Sequence, residues 1–360
     1  MTGDSQQTGL QLAARATAAL EGGELARAAA LADDAAAAFV VEQGEPCFDA
    51  PNLLRVGAEA LLALGDHAAA ARTLDRADAL AAGLPQGEPF DRLRVHLGRL
   101  RGVALLDGGD RPAARAVLQR TLERCEATLG SEDADAAALH NMLGVVGKFI
   151  GTFDTAAEHY ARAIEIFERT GASPVVLGAL HHNLGGLAHS RGDLVTAERE
   201  TRRALELRTD FLGAAHADSA GDRGQLGAIV SELGRHDEAE RELRRTADDM
   251  AAALGPVHVE VAIARTALGA ALHRAGRLQE ADVAYREGLA ARERTQGESH
   301  PMLAPTLLNL SALCEQRGDR IQARALAQRA AGVLDGAVTA DHPHLLATRE
   351  RLAELDRGQR

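Results

Sequence analysis

The sequence predicts an all-α solenoid built from a repeated helical hairpin. Three observations support this prediction. A frame of one glycine, one alanine and one further small residue recurs eight times along the 360 residues. The chain is rich in Ala, Leu, Arg and Glu, which favour helices, and it contains no Trp and only two Tyr. A fixed period of about 20 to 50 residues is typical of solenoids, in which each repeat buries its apolar face against its neighbours.

The clearest copy of the frame is organised around Gly192, which we call an anchor glycine. Leu184 and Gly185 lie eight and seven residues before it, and Ala197 lies five residues after it. The anchors are spaced 42, 44, 42, 41, 42, 42 and 42 residues apart: Gly23, Gly65, Gly109, Gly151, Gly192, Gly234, Gly276 and Gly318. Each repeat is predicted to contain a helix A that ends at the anchor and a helix B that begins about three residues later.

Small residues occupy two positions in every repeat. The fifth residue after the anchor is always Ala, and the seventh before it is always Ala, Gly or Ser. We expect helices A and B to cross closely there, because a larger side chain would push them apart. Leu stands eight residues before the anchor in repeats four to eight, whereas Arg15, Gly57 and Arg101 stand there in the first three. We therefore expect a continuous array with a seam near residues 83–90.

The repeat pattern also sets the expected boundaries. We expect a frayed N-terminus over residues 1–8, the solenoid over 9–342 and a capping helix over 343–356, since the end of a solenoid needs a polar outer face. Glycines 21 residues after an anchor, such as Gly297, are expected to end helix B in the left-handed conformation. Pro301 fits the first turn of the next helix A.

Charge and cysteine usage restrict the partners and the compartment. A net charge of −12 argues against sequence-independent binding to nucleic acid or to an anionic membrane, because both need a basic surface. The polar start and the lack of a long apolar run predict neither a signal peptide nor a membrane span. Cys47, Cys125 and Cys314 are far apart, which favours buried or free thiols in a reducing cytoplasm.

The frame over Leu184–Ala204 resembles the tetratricopeptide repeat (TPR). The 42-residue period and the linker Gly297–Pro301 resemble the kinesin light chain subclass, and bacterial proteins that use this repeat are the nearer match. The resemblance implies a right-handed superhelix of about eight helix-turn-helix repeats, whose concave face is lined by helix A and takes a peptide or protein segment. The coiled-coil heptads of kinesin light chains are absent, so a role as a motor cargo adaptor is not implied. Of the Asn pair typical of that subclass, one residue remains in three repeats: Asn141, Asn183 and Asn309.

Five positions of helix A should face this concave surface, at 13, 10, 6, 3 and 2 residues before each anchor. The central polar strip predicted in this way consists of Asn141, Lys148, His182, His189, His273 and Arg274. Such side chains bind an extended chain through hydrogen bonds to its backbone and to acidic side chains. The same residues are also compatible with an ordinary solvated helix face.

Motifs for catalysis and for metal or cofactor binding are missing. His182 and His189 lie two helical turns apart, too far to share an ion without a residue from another repeat, so no metal site is predicted. His140 and His181 occupy equivalent positions that point between helices, and we expect them to be structural. No phosphate loop, nucleophile elbow or calcium loop has the required spacing, so neither a cofactor nor an enzymatic activity is predicted.

The leading hypothesis is a non-catalytic, cytoplasmic scaffold that binds a protein or peptide, with acidic segments among its ligands. The alternative is a peptide-sensing regulator that acts on a separate effector chain. Regulators of this type usually carry a DNA-binding helix-turn-helix before the array, and none is evident ahead of residue 10. Neither nucleic acid nor a membrane is expected as a partner, and the sequence does not predict the oligomeric state.

Overall fold

The computed structural model describes residues 8–44, 46–337 and 342–357. These residues form 17 α-helices and a one-turn 3₁₀ helix, Pro301–Leu303, without any strand. The α-helices are α1 (Gly9–Glu21), α2 (Leu25–Gln43), α3 (Asp49–Ala63), α4 (His67–Ala82), α5 (Phe90–Asp107), α6 (Arg111–Thr128), α7 (Ala134–Ile150), α8 (Phe153–Thr170), α9 (Pro174–Ser190), α10 (Leu194–Leu212), α11 (Ala217–Glu232), α12 (His236–Leu254), α13 (Val259–Arg274), α14 (Leu278–Gln296), α15 (Ala304–Gln316), α16 (Arg320–Leu334) and α17 (Pro343–Arg357). The predicted frayed segment 1–8 lies outside the described residues except for Thr8, which caps α1.

The odd-numbered helices α1 to α15 are the A helices of eight hairpins, and the even-numbered helices α2 to α16 are the B helices. This confirms the predicted all-α class. The chain divides into an N-terminal unit, Met1–Ala172, and a C-terminal unit, Ser173–Arg360. Within each unit every helix packs against the next one, so four hairpins stack in sequence. The right-handed course of the whole array stays a prediction.

Neighbouring repeats within a unit pack chiefly through helix B of one repeat and helix A of the next, and their A helices also contact each other. The helix pairs α9 and α11, α11 and α13, and α13 and α15 are in contact, as are α3 and α5, and α5 and α7. The backbones of consecutive B helices lie farther apart in the part of the chain that the structure describes, and long side chains bridge them, as Arg202 on α10 does to Glu238 on α12 at 2.6 Å. The A helices therefore form the closely spaced face of each unit, and grooves separate the B helices on the other face.

Every anchor glycine lies in the turn between helices A and B and has a positive φ, between 73° and 88°. In the fifth repeat the Gly192 N–H donates to the carbonyl of His189 at 2.9 Å, and the Asp193 N–H donates to that of Ala188 at 3.0 Å. This is the Schellman arrangement, in which a side chain at the glycine position would be strained. The Asp193 carboxylate then accepts the N–H of Thr196 at 3.1 Å, and helix B begins two residues after the anchor.

The predicted close crossing of helices A and B is present in all eight hairpins. The alanine five residues after each anchor is completely buried in every repeat. On helix A, a Cβ atom added to Gly227 or Gly269 would lie 2.6 Å from Leu243 or Tyr285. These large residues, nine positions after their anchors, fill the space beside the glycine. From the sequence, only the alanine five residues after the anchor is predicted opposite this position.

The array continues through the irregular early repeats. In the third repeat the buried leucine is Leu100, nine residues before the anchor. Arg101 occupies the position of the later leucines and pairs with Asp75 and Asp78 at 2.8 and 2.7 Å. Gly102 keeps its buried place, so the frame itself does not slip. The linker of residues 83–89 joins α4 to α5 at the expected seam.

The glycines after the B helices differ from the prediction in their backbone conformation. Gly213, Gly255 and Gly297 have φ angles of 91°, 89° and 93° with ψ angles of 155°, 152° and 156°. Their backbone is extended at positive φ, a region nearly restricted to glycine, and is not left-handed helical. The chain needs this extended step because it must leave helix B and start a new helix within a few residues.

Histidine side chains cap the helix that follows these glycines. Nδ1 of His216, His258 and His300 accepts the backbone N–H two residues later, each at 3.2 Å. Pro301 begins the 3₁₀ turn that leads into α15, so it lies just before the helix rather than in its first turn. Pro343 is the first residue of α17.

The last helix, α17, packs against α15 and α16. Leu355 is buried beside Cys314, Ala323 and Ala327. None of the described helices is both long and apolar enough to cross a membrane. Cys314 is a buried, unpaired thiol, as are the other two cysteines.

We expect Ala239→Leu to destabilise the C-terminal unit by about 1–3 kcal/mol, because the completely buried alanine leaves no room at the helix crossing. The measurement is the urea midpoint of unfolding. Ala253→Leu, an exposed position on the same helix, is the matched control and should have little effect. Equal midpoints for both variants would show that the crossing is wrongly assigned.

Candidate functional site

Side chains near the C-terminal ends of consecutive A helices contact each other in the C-terminal unit. Nε2 of His189 on α9 lies 3.0 Å from Oε2 of Glu232 on α11, and Nη2 of Arg274 on α13 lies 3.3 Å from Oε1 of the same carboxylate. Nε2 of His273 on α13 lies 2.6 Å from Oε1 of Gln316 on α15. We call these five residues the helix A strip. Each contact joins residues 42 or 43 positions apart, hence equivalent places in successive repeats.

The helix A strip is a partly exposed polar surface on a rigid support. The side chains of His189, Glu232 and Arg274 are 31%, 33% and 45% exposed. Each keeps hydrogen-bonding capacity that its neighbour does not use. Because the side chains stand on packed helices and already contact one another, a ligand would order them at a low entropic cost.

His182 lies two turns before His189 on α9 and is held by a buried carboxylate. Its Nδ1 lies 2.7 Å from Oδ1 of Asp222, which has no exposed surface. Nη1 of Arg208 donates to the same oxygen at 2.9 Å, so a cation compensates the buried charge. The His182 side chain is 38% exposed, and the Asp222 contact leaves Nε2 as the ring nitrogen for a ligand.

Two predicted residues, Asn141 and Lys148, lie on α7 in the N-terminal unit. Both are half-buried, and burial lowers the pKa of the Lys148 ammonium from its ordinary value. Lys148 is the only lysine in the chain. Next to it in sequence, the exposed ring of Phe149 faces Arg111, whose guanidinium carbon lies 5.5 Å from the ring centre. These residues form a polar surface of the N-terminal unit that shares no residue with the helix A strip.

The histidines expected to be structural do point from helix A to helix B of their own hairpin. Nδ1 of His140 lies 2.8 Å from Nδ1 of His159, and Nδ1 of His181 lies 2.8 Å from Oε2 of Glu200. The hydrogen bond from His181 lowers the pKa of the Glu200 carboxyl. Burial, together with the nearby charges of His159 and Arg162, lowers the pKa of His140 to about 4.

Four of the six residues of the predicted central polar strip contact a residue outside those six, and only His189 and Arg274 are brought together, through Glu232. Glu232 links His189 to Arg274, Gln316 binds His273, and Asp222 holds His182. Glu232 and Gln316 stand two residues before an anchor, one of the five positions expected on the concave face, although neither belongs to the predicted central polar strip. Among the described residues, no three His, Cys, Asp or Glu side chains are grouped to hold a metal ion.

Comparison with known sequences agrees with the repeat frame. The tetratricopeptide repeat family profile matches residues 93–169, 223–294 and 260–336, which together cover more than half of the chain. A second profile of the same repeat matches residues 53–76. No protein of curated function matches the sequence.

Several solved structures have a similar fold. BtubC (BKLC) from P. vanneervenii is 21% identical, with a TM-score of 0.54 over 65% of this chain and 94% of that one. A putative kinesin light chain with TPR-like repeats from Podosopora anserina is 20% identical, with a TM-score of 0.50 over 57% and 97%. A Rap protein complexed with competence and sporulation factor is 15% identical, with a TM-score of 0.62 over 97% and 98%. At these identities the likeness shows the fold.

We expect the chain to lose stability as the pH falls from 6.5 towards about 4. In the unfolded chain His140 takes up a proton at its ordinary pKa of 6.5, but in the folded chain it stays neutral until about pH 4. The folded state therefore binds fewer protons in this window, and its stability, full above pH 6.5, declines below it by about 1–2 kcal/mol at pH 5. The measurement is the urea midpoint at pH 7 and pH 5.

The matched variant combines His140→Leu with His159→Leu, since burial lowers the pKa of His159 as well. This variant should lose less stability between the two pH values than the wild type. An equal loss in both proteins would assign the effect to other groups.

Proposed function

We propose that this chain, which belongs to the tetratricopeptide repeat family, is a non-catalytic scaffold that binds an extended protein or peptide segment on the helix A strip. The observation that carries the proposal is the row of contacts from His189 through Glu232 to Arg274, which crosses three consecutive A helices. A continuous polar row of this kind on the closely spaced face of the unit is suited to a ligand that runs across the helices.

The spacing of the strip fits an extended polypeptide. Packed helices lie about 8–10 Å apart, and an extended chain advances about 3.3 Å per residue. A ligand that crosses α9, α11 and α13 therefore meets a polar side chain of the strip about every three residues. The imidazoles and the Gln316 amide can bind its backbone N–H and C=O groups, which supports binding with little dependence on the ligand sequence.

Charged groups of the strip add a preference for the ligand side chains. Arg274 is 45% exposed and has long contacts, 3.3 Å to Glu232 and 3.5 Å to Oγ of Ser231. An acidic ligand side chain can form a shorter, charge-assisted hydrogen bond to this guanidinium. The neighbouring Glu232 disfavours a second acidic group nearby, so we propose a ligand with one acidic residue among neutral ones.

A binding role is favoured over catalysis because the tetratricopeptide repeat, which matches more than half of the chain, is generally a non-catalytic scaffold. His189 contacts the Glu232 carboxylate and His273 the Gln316 amide, which orients both rings as hydrogen-bonding groups. We place the scaffold in the cytoplasm, since three buried and unpaired thiols suit a reducing compartment.

A peptide-sensing regulator that acts on a separate effector chain is the second candidate. The Rap protein whose structure contains competence and sporulation factor matches this chain over nearly the full length of both. This observation favours a sensor over a passive scaffold. The similarity to the Rap protein extends over the whole array and does not locate a binding surface. Both candidate functions therefore use the helix A strip as their binding site.

The test is to select ligands from a random peptide library displayed on phage and to measure the affinity of the selected peptides by fluorescence anisotropy. We expect His189→Ala with Arg274→Ala to weaken them at least about tenfold, because hydrogen bonds to charged groups are the stronger ones. The variant should unfold at nearly the wild-type urea midpoint, since both side chains are partly exposed.

The matched control is Arg203→Ala on helix B, α10, where an arginine of similar exposure, 52%, pairs with Glu206. It should bind the selected peptides like the wild type. Loss of binding in the control but not in the strip variant would move the site to the B helices. A library that yields no ligand would contradict a peptide-binding role.

A further inference from the structure

A groove in the N-terminal unit is lined by four arginines. It lies between the B helices α4 and α6, above α5, with a volume of about 400 Å³. It continues into a second cavity of about 630 Å³ beside the linker of residues 83–89. The two cavities share Arg94 and Arg124, and Arg101 and Arg120 complete the set. This basic groove stands out in a chain of net charge −12.

Two of the four arginines are neutralised within the chain. Arg94 donates to the carbonyl oxygen of Leu84 at 2.6 Å and pairs with Asp91 at 3.2 Å. Arg101 pairs with Asp78 at 2.7 Å. These contacts fasten α5 to the linker and to α4, so both side chains are used by the fold.

The other two arginines, Arg120 and Arg124, are exposed and lie one turn apart on α6. In the described ranges neither guanidinium takes part in an ion pair or a hydrogen bond. Two like charges at this spacing repel each other on a helix surface. An anion placed between them would remove the repulsion and accept hydrogen bonds from both.

An equivalent groove in the C-terminal unit is neutralised from within. It lies between the B helices α10 and α12, above α11, with a volume of about 640 Å³. Five arginines line it: Arg199, Arg202, Arg203, Arg223 and Arg245. Each of them has a carboxylate of the same chain within 2.6 to 3.7 Å. The groove in the C-terminal unit therefore has the same arrangement of helices, but all of its arginines are paired. In the groove of the N-terminal unit two arginines are unpaired and can bind an external anion.

We infer that the N-terminal groove binds a short acidic peptide segment. The groove follows α6 from Val117 to Thr128, about 16 Å at 1.5 Å per residue, which is the length of about five extended residues. Arg120 lines the first cavity and Arg124 lines both, so their two guanidinium groups can receive carboxylates of the peptide near the place where the cavities join. This elongated shape, with two unpaired cations along it, fits a peptide better than a small anion.

The test uses fluorescein-labelled hexaglutamate as the probe, with hexaglutamine as the uncharged control peptide, and measures fluorescence anisotropy. The wild type should bind hexaglutamate and not hexaglutamine. Arg120→Gln with Arg124→Gln should weaken binding at least about tenfold, since both charge-assisted contacts are lost. Arg202→Gln with Arg203→Gln removes the same charge from the C-terminal groove and should change the affinity less than about twofold.

Three results would overturn the inference: equal weakening by both arginine pairs, no binding of hexaglutamate, or its displacement by inorganic phosphate at the same concentration. Phosphate displacement would mark a small-anion site. The helix A strip is tested separately, because His189→Ala with Arg274→Ala should bind hexaglutamate like the wild type. If that variant loses the probe, the acidic segment binds the strip and not the groove.

Discussion

The close crossing of helices A and B in each hairpin is the constraint on which the rest of the structure depends. Ala197 and its seven equivalents are completely buried, and Gly227 leaves no room for a Cβ beside Leu243. Since a larger side chain at either place would separate the helices, all hairpins share nearly one geometry. The turn at Gly192, with its positive φ, lets helix B return along helix A within two residues.

This shared geometry decides which side chains meet. Within each unit consecutive A helices are in contact, so residues one period apart come together, as His189 and Glu232 do at 3.0 Å. The backbones of consecutive B helices lie farther apart in the described part of the chain and are bridged by long side chains such as Arg202, so grooves remain between them, with an A helix as the floor. The C-terminal unit thus offers a polar row on its A helices, and both units have grooves between their B helices. The charges of individual residues, Arg120 among them, then distinguish one groove from another.

The repeat frame could be predicted from the sequence because it depends on residue size at fixed spacing. Gly192 and Ala197 are recognisable in one chain, since eight copies cannot be explained by an alanine-rich composition. The residue nine positions after the anchor was missed because its chemistry varies, from Leu243 to Tyr285, although it fills the same space. Likewise, helical periodicity places His182 in the predicted central polar strip. Its contact with the buried carboxylate of Asp222 could not be predicted, because it depends on the register between repeats. Which arginines are paired depends on side-chain conformations that the sequence does not contain.

The most direct test of the account is a crystal structure of the chain with a peptide selected from a random library. We predict that the peptide lies in extended form across the A helices α9, α11 and α13, with polar contacts to His189 and Arg274. A peptide bound only to B helices, with no contact to any residue of the helix A strip, would contradict the account.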